Sequence, residues 1–443
     1  MLTTKNKYWG TSKDYLHLLD CSKTGRDVEP DCFENHLVNT KLLEKLYISR
    51  KENTINSWIR SLFPALSEFP GKVDFLPLNR LISAEEVEAI LEVMKVVLPT
   101  GQFTSGPYVN RFEEILSGYL RKKYIIATSS GTDAAMVALL ALGLRPGDEV
   151  IMPANSFAAT ENAVLAVGGV PVFADIDPHT YTLDPARAEA AITPRTRFIL
   201  PVHLYGKKAN MAGLRELADR YRLKIVEDAC QAIGVTELGR EGDALILSFN
   251  PYKNVGVCGK GGAIALDDEE AARRCMQFSY HGFEVNVKNR KVRDFGYNSR
   301  MDNLQAAIGI ERMKHLSLNN FKRTILADRY RQGLQSLADS QKIRLPEMSD
   351  DHVWHHFPIQ ILSADRDLVR RELMDKYSAE TDIYYPVLSH RQNTPFVDAR
   401  YKDAHLPQTE QTHSRLLHLP MYPHLTWEEQ DHLMEGLRRV IGV

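Results

Sequence analysis

Seven short apolar segments, most of them separated by helical patterns, constrain the fold of this chain more than any other feature. They lie at 125–127, 150–152, 170–173, 198–202, 224–226, 244–249 and 263–266. Apolar segments of this length that alternate with helices are typical of a mainly parallel sheet covered by helices on both faces. The pattern therefore predicts an α/β fold, and such sheets bind ligands at the carboxyl ends of their strands.

The rest of the chain divides into an N-terminal extension and a smaller C-terminal domain. Residues 1–72 contain short helical patterns and scattered charge, and Pro70-Gly71 closes them as a linker. We interpret them as an appended segment, for which a loosely packed extension without chemistry is the simplest explanation. We expect a large ligand-binding domain at 73–305 and a small α+β domain at 306–443, with strands at 359–362 and 382–385.

Charge and composition exclude several classes of protein. Lys and Arg total 55 against 57 Asp and Glu, which argues against a basic nucleic-acid coat and an acidic disordered tail. The longest apolar run, 134–144, is shorter than the roughly 20 residues that cross a bilayer, and residues 1–10 are too polar for a signal peptide. The five cysteines form no C-x-x-C pair. We expect a cytoplasmic protein with free thiols and no membrane or nucleic-acid partner.

Polar residues follow several of the predicted strands. Ser129-Ser130-Gly131-Thr132 comes after the first strand, where a helix begins. Free N–H groups at a helix N-terminus bind phosphate, although Ser-Gly-Thr is also a common helix cap. Asp228 and Gln231 follow the fifth strand. The aspartate can be a solvated acid, a helix cap or a functional ion-pair partner.

A lysine and a glycine-rich stretch follow the sixth strand. Lys253 precedes Gly256, Gly259, Gly261 and Gly262, and a lysine in such a confined backbone can act as an amine nucleophile. The stretch is not a Walker A loop, because its spacing is wrong and Lys260 is not followed by Ser or Thr. The first strand also lacks a G-x-G-x-x-G fingerprint, so an NTPase and a dehydrogenase are disfavoured.

The order of these motifs resembles the DegT/DnrJ/EryC1/StrS sugar aminotransferases, which have the aspartate-aminotransferase fold and use pyridoxal phosphate. The resemblance covers roughly residues 74–440. It rests on the blocks SSGTDAAMVALLALGLRPGDEVIMPANSFAAT, VEDACQAIG, LSFNPYKNVGVCGKGGA, YHGF and FGYNSRMDNLQAAIG. It implies a large domain that binds the cofactor and a smaller C-terminal α+β domain.

The resemblance assigns roles to individual residues. It makes Lys253 the lysine that holds pyridoxal phosphate as a Schiff base, Asp228 the partner of the pyridine nitrogen and Gln231 the partner of the ring hydroxyl. Phe157 matches the aromatic residue that stacks on the ring. The phosphate cradle matches Gly131, Thr132 and Ser248. Asn298 matches a phosphate ligand donated by the neighbouring subunit, which implies a homodimer with shared active sites.

The resemblance also bears on the substrates. The runs TGQFTSGPY, FNPYKNVGVCGK and YHGFEVNVKNRK, with the N-terminal extension, resemble the members that transfer an amino group from glutamate to 3-oxo-glucose 6-phosphate, giving kanosamine 6-phosphate for antibiotic synthesis. A nucleotide-linked 3- or 4-keto sugar is an alternative substrate. A non-catalytic cofactor-binding regulator is a further alternative, against which the intact Lys253, Asp228 and Ser248 argue.

Several residues are candidates for substrate binding. Arg300 is a candidate for the glutamate carboxylate, and Tyr384 stands where many members have histidine before Tyr-Pro. A basic loop suits a sugar phosphate or is a solvated surface run, and it contains Lys288, Arg290, Lys291 and Arg293. His352, His355 and His356 resemble metal ligands, but no HExxH helix accompanies them, so we expect no metal.

Overall fold

The computed structural model describes residues 59–64, 69–285, 287, 289–401 and 403–442. Most of the predicted N-terminal extension, 1–72, therefore lies outside the described residues, as does Lys288. In the described part of the chain, no helix combines the length and apolarity that spanning a bilayer requires.

The helices and strands alternate as the apolar pattern predicts. The strands are β1 (Tyr124–Thr128), β2 (Glu149–Pro153), β3 (Val170–Ala174), β4 (Thr196–Ile199), β5 (Lys224–Asp228), β6 (Ala244–Ser248), β7 (Gly262–Leu266), β8 (Ile343–Arg344), β9 (Phe357–Ile361) and β10 (Leu416–Leu419). The helices are α1 (Ala84–Val97), α2 (Pro107–Leu120), α3 (Gly131–Ala141), α4 (Ala158–Ala166), α5 (Pro185–Ala190), α6 (Met211–Tyr221), α7 (Glu269–Ser279), α8 (Asn303–Asp339), α9 (Arg366–Tyr377), α10 (Pro395–Tyr401), α11 (Pro407–Arg415) and α12 (Trp427–Ile441).

A seven-stranded sheet forms the centre of the fold. Its strand order is β1-β7-β6-β5-β4-β2-β3, and every pair is parallel except those that β7 makes with β1 and β6. The prediction of an α/β fold with a mainly parallel sheet is therefore confirmed. Because β7 runs in the opposite direction, its first residue, Gly262, pairs with Thr128 and Ser248, the last residues of β1 and β6. The loops that follow β1 and β6 and the loop that precedes β7 therefore meet at this edge of the sheet.

Apolar side chains cover both faces of the sheet. Val137 and Leu139 of α3 belong to the buried cluster on one face. Phe112 of α2 and Ile308 of α8 belong to the cluster on the other face. Burial of these side chains, each favourable by about 1.5–3 kcal/mol, holds the loops at the strand ends on a rigid base.

The C-terminal region contains the three-stranded antiparallel sheet β10-β9-β8, which packs with α9, α12 and the second half of α8. Helix α8 runs through position 305, and the division of the chain there stays a prediction. Val397 and Tyr401 of α10 pack against the core that contains Val137.

One predicted strand is wrong. The segment 382–385 makes a single bridge, between Asp382 and His418. The N–H of Tyr384 donates to Nδ1 of His418 at 3.2 Å instead of to a main-chain carbonyl, and Pro386 follows directly. The segment is therefore an irregular stretch, and side-chain bonds fix its position.

Candidate active site

A cavity of about 980 Å³ opens where β1, β5 and β6 end. The loops that follow these strands supply most of one wall, and the C-terminal region supplies the opposite wall. The residues that line the cavity include Ser129, Ser130, Gly131, Thr132, Phe157, Thr160, Asp228, Cys230, Gln231, Ser248, Lys253, Lys260, Arg300, His355, His356, Tyr384 and Tyr385.

Helix α3 begins at Gly131, just after the end of β1. Ser130 is the N-cap and accepts from the N–H of Asp133 at 3.1 Å. The hydroxyls of Ser129 and Ser130 both donate to Oδ2 of Asp133. A Cβ on Gly131 would lie 2.8 Å from Cβ of Ser248, so only glycine lets the helix start approach the end of β6 this closely.

Asp228 is the last residue of β5, and its buried carboxylate is held from two sides. The hydroxyl of Thr160 donates to Oδ2 at 3.1 Å, and the N–H of Cys230 donates to Oδ1 at 3.1 Å. Ser156 in turn lies within 2.8 Å of the Thr160 hydroxyl. These bonds fix the direction in which the carboxylate faces the cavity.

Lys253 lies in the turn after β6 with its side chain partly buried. Burial lowers the pKa of its ammonium group, although the negative charge of Asp228 opposes this. Burial also raises the pKa of the Cys230 thiol well above its ordinary value, so the thiol is protonated at neutral pH. The turn is tight, since a Cβ on Gly256 would lie 2.4 Å from the carbonyl oxygen of Pro251. The uncharged form of the Lys253 amine is therefore more favoured in this site than it is in water.

Gln231, Phe157 and Tyr385 line the cavity beside Asp228. The amide oxygen of Gln231 accepts from the N–H of Tyr205 at 2.7 Å, and its amide nitrogen donates to the hydroxyl of Tyr385 at 3.1 Å. The ring of Phe157 lies 5.1 Å from that of Tyr385, and Phe157 is 55% exposed. An apolar residue that lines a cavity and stays this exposed offers a face to a flat ligand.

The predicted substrate residues occupy different places. Arg300 lines the cavity and stacks its guanidinium 3.5 Å from the centre of the Tyr280 ring. Tyr384 also lines the cavity. Asn298 is exposed, pairs with Tyr280 and does not line the cavity of its own chain.

The described residues of the basic loop lie away from this chain's cavity. Lys291 donates to the carbonyl of Asp294 at 2.8 Å, and Arg293 donates to the amide of Gln277 at 2.8 Å. Neither they nor Arg290 line the cavity, and Lys288 lies outside the described residues.

Several cavity residues are not assigned by any sequence pattern. Thr160 and Tyr385 act through their hydrogen bonds to Asp228 and Gln231. No local sequence pattern indicates these two bonds. Lys260 belongs to a stretch that fails as a phosphate loop, yet it is an exposed cation on the cavity wall. The glycines on both sides of it are the one signal that could have singled it out.

The three histidines considered as metal ligands have other surroundings. The ring of His352 stacks 3.8 Å from that of Trp354 and accepts from the Trp354 N–H at 3.0 Å. His355 and His356 both line the cavity, and the ring of His355 lies 2.9 Å from the amide oxygen of Asn254. Across the described ranges, no three His, Cys, Asp or Glu side chains come together as a metal site requires.

Residues 84–438 match the profile of the DegT/DnrJ/EryC1/StrS aminotransferase family. Because this match covers most of the chain and contains the whole cavity lining except Leu76, the chain belongs to this family. The family and the aminotransferase activity predicted from the sequence are thereby confirmed.

Individual relatives agree with this assignment. The chain is 63% identical to the 3-oxo-glucose-6-phosphate:glutamate aminotransferase of Bacillus subtilis (strain 168), over 84% of each chain. It is 36% identical to a dTDP-3-amino-3,4,6-trideoxy-alpha-D-glucose transaminase of Micromonospora megalomicea, over 80% of this chain and 94% of that protein. The crystal structure of NtdA from Bacillus subtilis, which contains the cofactor PMP, superposes with a TM-score of 0.87 at 55% identity and covers 98% of this chain and 99% of that one.

Proposed function

We propose that the enzyme uses pyridoxal phosphate to transfer the amino group of glutamate to 3-oxo-glucose 6-phosphate, forming kanosamine 6-phosphate. The observation that carries the proposal is that Lys253, Asp228 and the N-terminus of α3 line one cavity. The relative at 63% identity carries the name of this reaction, which supports the same substrates here.

The residues of the cavity fit the cofactor. The N–H groups at the start of α3 and the hydroxyls of Thr132 and Ser248 form a set of neutral donors suited to a phosphate. Because a Cβ on Gly131 would lie only 2.8 Å from Cβ of Ser248, any larger residue would fill this cradle. When bound, pyridoxal phosphate supplies the electron-accepting ring through which the amino group is transferred.

Lys253 is the group that moves protons. An amine whose pKa burial has lowered spends more time uncharged, and only the uncharged amine can take a proton at Nζ. Once protonated, Nζ lies in a site where the Asp228 charge favours the cation, so the same group can return the proton. Lys253 therefore serves as base and then as acid.

The other cavity residues bind and orient. Asp228, held by Thr160 and the N–H of Cys230, presents a fixed negative charge that favours a protonated ring nitrogen. Phe157 and Tyr385 offer ring faces that exclude water from one side of the cavity. Arg300 and Lys260 are the cations that suit the carboxylate and phosphate of the substrates.

The proposed active unit is a homodimer with shared sites. Asn298 is exposed and does not line the cavity of its own chain, which supports a role as a phosphate ligand in the neighbouring subunit. The basic loop Arg290, Lys291 and Arg293 lies close to Asn298 in the chain, and we propose that it too serves the sugar phosphate of the neighbouring site. The cytoplasmic location stays a prediction from the sequence.

A spectral assay and a substrate comparison test the proposal. Adding glutamate to the enzyme with its cofactor should bleach the visible absorption, and adding 3-oxo-glucose 6-phosphate should restore it. A regulator without catalysis would show no bleaching. If a nucleotide-linked 3- or 4-keto sugar restores the band with a higher kcat/KM than the sugar phosphate, the proposed substrate is wrong and the aminotransferase assignment stands.

A further inference from the structure

His356 is a buried polar residue on the cavity wall to which the catalytic arrangement assigns no role. It is 5% exposed and belongs to the part of the cavity lining that the C-terminal region supplies. Its main-chain N–H donates to the carbonyl of Tyr205 at 3.2 Å. Among the described residues, no hydrogen bond to its ring nitrogens is found. A buried imidazole with free nitrogens at a cavity wall needs a partner from inside the cavity, which is water or a ligand.

The ring cannot turn away from the cavity. It stacks on Tyr384 with ring centres 4.4 Å apart and meets His418 edge to face at 5.7 Å. The main chain of this segment is also fixed, since the buried guanidinium of Arg323 donates to the carbonyls of Trp354 and His355 at 3.3 Å each. The imidazole of His356 is therefore held in one place before substrate arrives.

The charge state of the ring limits what it can bind. Burial lowers the pKa of His356 well below its ordinary value, and His418, Lys253 and Arg323 lower it further. A neutral imidazole offers one donor and one acceptor. A hydroxyl group matches both, whereas a carboxylate or phosphate wants two donors and positive charge.

Two of the neighbouring polar groups already have partners. His355 pairs with Asn254, and the hydroxyl of Tyr385 accepts from Gln231. We propose that His356 hydrogen-bonds a hydroxyl group of the sugar substrate and thereby contributes to sugar selection. This inference rests on the proposed function, because glutamate carries no hydroxyl and the keto sugar carries several.

The test compares the two half-reactions in the holoenzyme. His356→Phe keeps an aromatic ring against Tyr384 and His418 but removes both nitrogens. We expect it to lower kcat/KM for 3-oxo-glucose 6-phosphate roughly ten-fold, mainly through KM, and to leave bleaching by glutamate within about two-fold. His352→Asn is the matched control, since it also removes a buried imidazole of the same segment but one that does not line the cavity. It should leave both half-reactions near wild type.

Monodeoxy analogues of the sugar phosphate locate the contact. With the analogue that lacks the contacted hydroxyl, wild type and His356→Phe should react equally well. Three results would overturn the inference. They are a difference between the two proteins that persists with every monodeoxy analogue, an unchanged kcat/KM of His356→Phe for the sugar, and an equal loss in both half-reactions. If His356→Phe does not fold, His356→Leu, which also lacks a donor and an acceptor, is compared in the same way.

The outcome separates this inference from the proposed function. If wild type bleaches with glutamate but does not aminate 3-oxo-glucose 6-phosphate, the proposed substrate is wrong. The comparison of wild type and His356→Phe is then made on the keto sugar that wild type does aminate, and equal kcat/KM there overturns the role of His356.

Discussion

The amide nitrogen of Gln231 donates to the hydroxyl of Tyr385 at 3.1 Å. This bond joins the loop after β5 to the irregular segment before Pro386, which lie 154 residues apart in the chain. Burial raises the pKa of Tyr385, so its hydroxyl stays protonated. The amide nitrogen of Gln231 carries two N–H donors, and Tyr385 takes only one of them. The amide oxygen accepts from Tyr205, so the second N–H is the group available to a ligand in the cavity.

Tyr385→Phe removes the acceptor of this bond. We expect a loss of roughly three- to ten-fold in cofactor affinity, because the Gln231 amide becomes free to rotate and a net hydrogen bond is worth about 1 kcal/mol. Cofactor affinity is measured by quenching of protein fluorescence. Tyr384→Phe is the control, since Tyr384 accepts from Tyr205 through its carbonyl and not its hydroxyl. Equal losses in the two variants would contradict the prediction.

Lys253→Ala should abolish transamination and leave the fold intact. Its partly buried amine, with a lowered pKa, is the proton carrier proposed above. Reduction of the holoenzyme with borohydride, followed by peptide mapping, should find the cofactor on Lys253. Lys260→Ala, which removes the other lysine of the cavity lining, should still be labelled at Lys253. A label on any other lysine in wild type would disprove the assignment.

Asp228→Asn should reduce turnover by roughly a hundred-fold or more, because the negative charge facing the ring nitrogen is lost. Thr160→Val keeps the charge but removes one of the two bonds that orient it, and a smaller loss of roughly ten-fold is expected. The rates of the half-reactions, measured at saturating cofactor, check the losses expected for the two variants. Turnover of Asp228→Asn close to wild type would contradict the role of the carboxylate.

Local patterns in the sequence predicted most of the fold. All seven strands of the central sheet form at the apolar segments, because each needs only a short run of residues buried on both faces. Capping boxes also form at Ser83 and Thr426, each of which has a glutamate three residues later in the sequence. The strand predicted at 382–385 does not form. The N–H of Tyr384 donates to the side chain of His418, 34 residues away, instead of taking part in a main-chain ladder.

The site was predictable to the extent that its residues follow strands. Asp228, Ser248 and Gly131 lie where β5, β6 and β1 end, and the topology of the sheet alone brings these ends together. The wall formed by His356 and Tyr384 was not predictable in this way. These residues reach the cavity through the packing of the C-terminal region, and no periodicity records such long-range contacts.

The buried pair of Glu86 and Arg312 provides a test of stability. Glu86 accepts from Ser83 at the start of α1 and from the guanidinium of Arg312 on α8, so one carboxylate both caps a helix and joins it to the core. Glu86→Gln should destabilise the protein by about 3–5 kcal/mol, since it leaves the buried cation uncompensated. The midpoint of thermal unfolding measures this loss of stability. Glu92→Gln is the control, because Glu92 forms an exposed pair with Lys95 and its replacement should barely change the midpoint.

The same pair predicts a pH dependence. Burial raises the pKa of Glu86, but His424, Arg312 and the Ser83 N–H outweigh it, and the pKa falls to about 2. A depressed pKa stabilises the fold above the unfolded value of about 4.3, and this stabilisation is lost as the pH falls toward 2. Between pH 5 and 3, wild type should lose more stability than Glu86→Gln. Parallel curves for the two proteins would show that this carboxylate does not ionise as described.

Subunit mixing tests the proposed sharing of active sites. If Asn298 serves the neighbouring site, a heterodimer of Asn298→Ala and Lys253→Ala has one site with both defects and one with neither. Equal mixing gives half heterodimers, each with one intact site, so about a quarter of wild-type activity should return. Lys253→Ala mixed with Asp228→Asn is the control, because both residues line the same chain's cavity and every heterodimer site stays damaged. No recovery in the first mixture despite measured subunit exchange would place Asn298 outside the shared site, and recovery in the control would show that Lys253 and Asp228 of one chain serve different sites.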